Sequence, residues 1–145
     1  MPTPADLASH YNGKWKFFQY LSGNGMKIYN AYYHGMGRDV YAKLFAHLLR
    51  HDGIAVTRNA QLPMYWYDEQ LDDTYEVDML VNNNIIVDIY SIEHIDQEQR
   101  QLLKSRMKLT HTPFGIVCNF DRNIFYSEWY VRDKATGIVE RVKLI

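Results

Sequence analysis

The sequence predicts an α+β fold, a central mixed β-sheet flanked by α-helices. Three observations carry that prediction. Apolar residues recur at helical spacing through the first third of the chain, then switch at Ile54 to the two-residue period of strands. Strand-like stretches follow one another in runs, with a single helical stretch set among them. Asn82-Asn83-Asn84 joins two alternating segments as a hairpin, because Asn tolerates the left-handed backbone of a tight turn.

Taken in order, residues 4–10 are expected to form a short helix. Residues 14–21 form another, with Trp15, Phe18 and Leu21 on one side. Ser22-Gly23-Asn24-Gly25 reads as a breaker, so residues 1–25 are a helical extension of a single domain spanning 1–145. Met26, Tyr29 and Tyr33 have helical spacing, as do Ile28 and Tyr32, until Gly35-Met36-Gly37 interrupts. Residues 38–50 form a helix: Val40, Leu44 and Leu48 sit four apart with Tyr41, Phe45 and Leu49 beside them, and Asp52-Gly53 closes it. Residues 54–58 and 62–67 read as strands, and 68–73 as a polar turn. The hairpin of residues 74–81 and 85–90 comes next. Asp96 caps a helix, with Gln99 completing a capping box. Leu102, Leu103, Arg106 and Met107 mark its inner side, and Thr112-Pro113 ends it. Residues 114–120, 125–132 and 138–144 are closing strands, the last after a Thr136-Gly137 turn.

With 145 residues, 47% hydrophobic and 14% aromatic, the chain has enough apolar material for a packed core. A net charge of −1 excludes global attraction to nucleic acid, so any such binding depends on a local patch. The single Cys118 excludes an internal disulfide and fits a reducing compartment. The first residues have neither the basic nor the apolar region of a signal peptide, and no apolar run reaches membrane-spanning length. A cytoplasmic protein is expected. The His residues lack ligand spacing, so no zinc is predicted. Phosphate-loop, Rossmann and Ser-His-Asp signatures are missing. Tyr29, Tyr33 and Tyr41 are expected to pack in the core with a polar tip, and Trp66 and Trp129 to pack on the sheet.

If Val81 pairs with Ile85, pairing proceeds outward and sets Asp78 opposite Asp88, and Glu76 opposite Tyr90. Tyr75, Val77, Met79, Val81, Ile85, Val87 and Ile89 then make the apolar face. Facing carboxylates repel, which a chain tolerates on a wet surface or with a cation between them. A divalent ion is one such cation. The Arg38 guanidinium, bridging Asp78 and Asp88, is another. Glu76 shares the face. Asp39 lies about 100° around the helix from Arg38. Arg100, Lys104 and Lys108 form a basic stripe, either a phosphate track or the solvated side of a helix.

Gly35-Met36-Gly37-Arg38-Asp39-Val40-Tyr41, Glu76-Val77-Asp78-Met79-Leu80-Val81, Ile86-Val87-Asp88-Ile89-Tyr90, Gln101-Leu102-Leu103 and Gly115-Ile116-Val117-Cys118-Asn119-Phe120 follow one another along the chain. In order and spacing they resemble the PD-(D/E)xK nuclease superfamily, and more closely the small bacterial proteins named for a GxxExxY motif. The resemblance covers residues 29–145. It implies that Asp78 and Asp88 hold Mg²⁺ or Mn²⁺ and that Gln101 helps position the substrate. It also exposes departures. Arg38 stands where the motif has Glu, Tyr90 where it has Lys, and Ser105 where a Tyr often follows Gln101. The implied function is a nuclease-like domain with an eroded site, weakly active or inactive, that binds nucleic acid or a protein partner. One alternative is an active Mg²⁺-dependent nuclease using Asp78 and Asp88, with Lys104 in place of the missing Lys. Another is a homodimerising module built on the Tyr-rich N-terminal helices.

Overall fold

The computed structural model describes residues 14–142. The helix expected over residues 4–10 lies outside the described residues. The elements are α1 (Lys14–Tyr32), α2 (Arg38–His51), β1 (Val56–Trp66), β2 (Glu69–Val81), β3 (Ile85–Tyr90), α3 (Gln97–Thr110), β4 (Phe114–Phe120), β5 (Phe125–Arg132) and β6 (Val139–Val142). The strands form one mixed sheet in the order β1-β2-β3-β4-β5-β6, which is the α+β architecture expected from sequence.

Contacts divide the chain into two compact units. Among the described residues, one comprises residues 14–56, 89–94 and 118–127, and the other 57–88, 95–117 and 128–142. In the first, α1 runs unbroken through Ser22-Gly23-Asn24-Gly25, which corrects the expected break. Gly25 is there for close packing: a Cβ at that position would overlap the Phe125 ring. Buried Asn24 donates from Nδ2 to the Tyr20 carbonyl at 3.1 Å, and Ser22 and Ser127 share a hydroxyl hydrogen bond of 2.8 Å. Asn24 is therefore satisfied within the helix and Ser22 by a distant strand, while the helix continues.

Gly35 (φ 110°) and Gly37 (φ 91°) take the backbone conformations that separate α1 from α2. Along α2, Tyr41, Ala42, Phe45, Ala46 and Leu49 are buried. The Tyr41 ring stacks on Phe120 at 4.1 Å between centroids, and its hydroxyl donates to the Tyr33 carbonyl. Tyr29 is buried and its hydroxyl donates to the Arg122 carbonyl at 3.1 Å, as its amphipathic reading requires. Tyr33 departs from that reading and is 65% exposed. Cys118 lies in the core at 0% exposure.

In the second unit, β1 is one strand rather than two. The expected gap falls at Asn59, whose positive φ of 53° bends a continuous strand. The expected polar turn 68–73 is also corrected: the chain reverses at Tyr67 and Asp68, and the polar residues that follow already belong to β2. The capping box of α3 is present, with Asp96 accepting from Glu98 N at 2.9 Å and Gln99 Oε1 accepting from Asp96 N at 2.9 Å. Leu103 and Met107 are buried, but Leu102, expected on the inner side, is 40% exposed. Gly115 of β4 accommodates the helix, since a Cβ there would come within 2.6 Å of Met107 Sδ. His111 (φ 53°) ends α3 in a left-handed cap.

Candidate functional site

Asn82 (φ 53°) and Asn83 (φ 59°) turn the acidic hairpin, and Asn84 N closes it on the Val81 carbonyl at 3.2 Å. The register is Val81↔Ile85 and Leu80↔Ile86, as the alternation requires. Continued at the same two-residue period, this register would bring Asp78 opposite Asp88, as expected from sequence. The two acids sit in unequal environments. Asp78 is exposed, whereas Asp88 is only 5% exposed. Leu80 and Ile86 on that side are buried too, so the expected wet face is covered where Asp88 lies.

A guanidinium does reach Asp88, and it comes from α3. Arg106 Nη1 donates to Asp88 Oδ2 at 2.8 Å, and its Nε donates to the Tyr75 hydroxyl at 3.3 Å. Tyr75, counted from sequence with the apolar face, thus meets the guanidinium on the Asp88 side. The pairing satisfies a buried carboxylate that would otherwise be costly. Its sequence signal is an Arg at an inward helical position, which needs an acid to face. Glu76 is exposed and accepts from Gln61 Nε2 at 2.8 Å. Gln101 is exposed, with its amide 3.4 Å from Ser105 Oγ.

The basic stripe of α3 is split by its surroundings. Arg100 makes a forked pair with buried Glu128, with bonds of 3.0, 3.0 and 2.9 Å. Glu128 also takes the Tyr130 hydroxyl at 2.7 Å and lies 3.4 Å from Arg141 Nη1. Burial, and then that hydrogen bond to Glu128, raises the Tyr130 hydroxyl above the ordinary phenol range. Lys104 Nζ sits 6.0 Å from the Tyr130 ring centre, and Lys108 is exposed. Glu128 went unnoticed in the sequence. Its signal is an acid between Phe125 and the Trp129-Tyr130 pair in an otherwise apolar strand.

In the other unit, Arg38 Nε donates to the Ile89 carbonyl at 2.7 Å. Asp39 pairs with Lys43 at 3.7 Å on the exposed side of α2, and Tyr90 is half-buried at the end of β3.

The fold agrees with a comparison against family models. The model described as the PD-(D/E)XK nuclease superfamily matches residues 16–131. The chain belongs to the PD-(D/E)XK nuclease superfamily. No curated protein and no solved structure matches it. The match takes in nearly all of α1, which the resemblance read from sequence left partly outside.

Nucleases of this superfamily generally use divalent metal ions. Such ions need several hard oxygen donors around one point. Among the described residues, no three His, Cys, Asp or Glu side chains gather as a metal-holding group. One of the two motif carboxylates, Asp88, already has a guanidinium on its Oδ2. This donor set, among the described residues, does not fit a preformed divalent centre.

Proposed function

We propose that this chain is a nuclease-like domain whose catalytic centre has eroded, and that it binds nucleic acid without cutting it efficiently. The observation that carries this reading is the Arg106–Asp88 pair. A guanidinium supplies a fixed positive charge to the carboxylate that an attacking-water mechanism would need for its metal. Tyr90 in place of the motif Lys and Arg38 in place of the motif Glu support the same reading from sequence. Arg38 reverses a charge that would stand beside a metal, Tyr90 removes a cation that would face the phosphate, and one such electrostatic group is worth about 10²–10³ in rate.

Two measurements test it together. Titration of the full chain with Mg²⁺ or Mn²⁺ in a calorimeter is expected to give no specific binding heat. Incubation with plasmid or single-stranded DNA in the same ions is expected to leave the DNA intact while a salt-sensitive gel shift appears. Divalent binding abolished by Asp78→Ala, accompanied by cutting lost in Asp88→Asn, would overturn the reading in favour of a working phosphodiesterase.

A further inference from the structure

Away from the motif residues, the unit containing α3 has an open cavity of about 600 Å³. That is within the size range of small-molecule and nucleotide sites. Three segments line it: the β1–β2 turn, the last turn of α3 and the β5–β6 turn. Its composition is unusual for a chain of net charge −1. Three cations, Lys108, Arg132 and Lys134, line it with a single carboxylate, Asp68, and Tyr65, Trp66 and Tyr67 give it an aromatic side.

The aromatic wall is exposed and braced. Trp66 is 67% and Tyr67 77% exposed, and the two rings meet edge to face at 5.0 Å. This corrects the expectation that Trp66 packs on the sheet. Tyr67 sits at φ 54°, a left-handed conformation that a bulky residue adopts only under constraint. The constraint is His111, whose ring stacks on Tyr65 at 3.7 Å and hydrogen-bonds through Nε2 to the Tyr67 carbonyl at 2.8 Å. Folding therefore leaves two large rings mostly in water, packed chiefly against each other.

The basic wall is braced as well. Asp133 Oδ1 accepts from Ala135 N at 2.8 Å and Thr136 N at 3.1 Å, and Gly137 (φ 74°) folds the turn back toward Arg132. Arg132 Nε is buried and has no hydrogen-bond partner among the described residues. A donor left in that state costs stability unless an acceptor arrives. Lys108, in the last turn of α3, offsets the partial negative charge of the helix end, which leaves Arg132 and Lys134 as the anion-facing pair.

We infer that this cleft binds a single-stranded nucleic-acid segment, with an unpaired base stacked on Trp66 or Tyr67 and its phosphate held by Arg132 and Lys134. The inference rests on the nucleic-acid reading above and gives it a location. Base stacking on aromatic side chains is sequence-tolerant and needs the bases unpaired, so a closed duplex is a poor ligand for this wall. An acidic peptide would satisfy the cations but leave the exposed rings without a partner.

The test is fluorescence anisotropy of the full chain with a labelled oligothymidine of about ten nucleotides. The wild type is expected to bind it with quenching of tryptophan fluorescence. Trp66→Ala and Lys134→Glu, both at exposed positions, are each expected to weaken binding by about tenfold or more, with circular dichroism unchanged. Equal binding by wild type and both variants would overturn the cleft while leaving nucleic-acid binding intact. No binding by the wild type would remove the nucleic-acid reading and the cleft together. Equal affinity for a blunt duplex would overturn the preference for single strands. Full competition by free thymidine monophosphate at oligonucleotide-like affinity, or by polyglutamate, would reassign the cleft to a free nucleotide or to an acidic peptide.

Discussion

Arg106 and Asp88 show how much a single pair decides. Asp88 has 7% of its side chain exposed and Arg106 25%, so neither group is freely solvated. Arg106→Met leaves a buried carboxylate without this partner and is expected to cost about 3 kcal/mol in urea denaturation. Adding Asp88→Asn to Arg106→Met is expected to recover part of that loss, and a double-mutant cycle measures the coupling. At this scale the sequence was half legible. The register at the turn, Val81 opposite Ile85, followed from alternation and from three Asn residues. What it could not show was the cation's origin, because a guanidinium on a distant helix reaches the strand only through tertiary packing. The same holds for Glu128, whose forked partner Arg100 looked like part of a solvated stripe.

Elements are where the glycines separate. Gly23 and Gly25 both lie inside α1, yet their surroundings differ. Nothing lies within 4 Å of a Cβ placed on Gly23, so Gly23→Ala is expected to stabilise the protein by about 0.5–1 kcal/mol through helix propensity. At Gly25 the same methyl group meets the Phe125 ring, and Gly25→Ala is expected to destabilise by about 1–3 kcal/mol. Chemical denaturation of the two variants side by side checks both signs. The expected helix break at residues 22–25 failed for this reason: a close approach between helix and strand selects Gly without any turn. By contrast, Gly37 and Gly53 mark real reversals, since both carry a positive φ that other residues avoid. Asp96 was readable as a cap because capping is local. Asp96→Ala is expected to cost about 1 kcal/mol by the same measurement.

At the scale of the whole molecule, two hydrogen-bonded phenols contribute to the pH dependence of stability on the alkaline side. Burial raises both Tyr20 and Tyr130 above the ordinary value of 10.0, followed by a hydrogen bond to Asp52 in one case and Glu128 in the other. Between pH 10.0 and the higher folded values, the unfolded chain releases these protons while the folded protein keeps them. Their contribution to stability is therefore fully present below the ordinary phenol value and is expected to fall as pH rises above it. Tyr20→Phe and Tyr130→Phe should each flatten that fall, as followed by thermal melts across alkaline buffers. The order of helices and strands was legible over nearly the whole chain, because hydrophobic period survives without knowledge of partners. The aromatic cleft was not, because its walls come from three turns far apart in sequence and only folding gathers them.

Cys118 offers a handle on motion. It is the chain's sole thiol, sealed at 0% exposure within β4. A thiol-specific dye cannot touch it until that strand opens, so the labelling rate is a clock for rare excursions of the interior. Run with and without oligonucleotide, the clock would report whether ligand changes how often β4 opens.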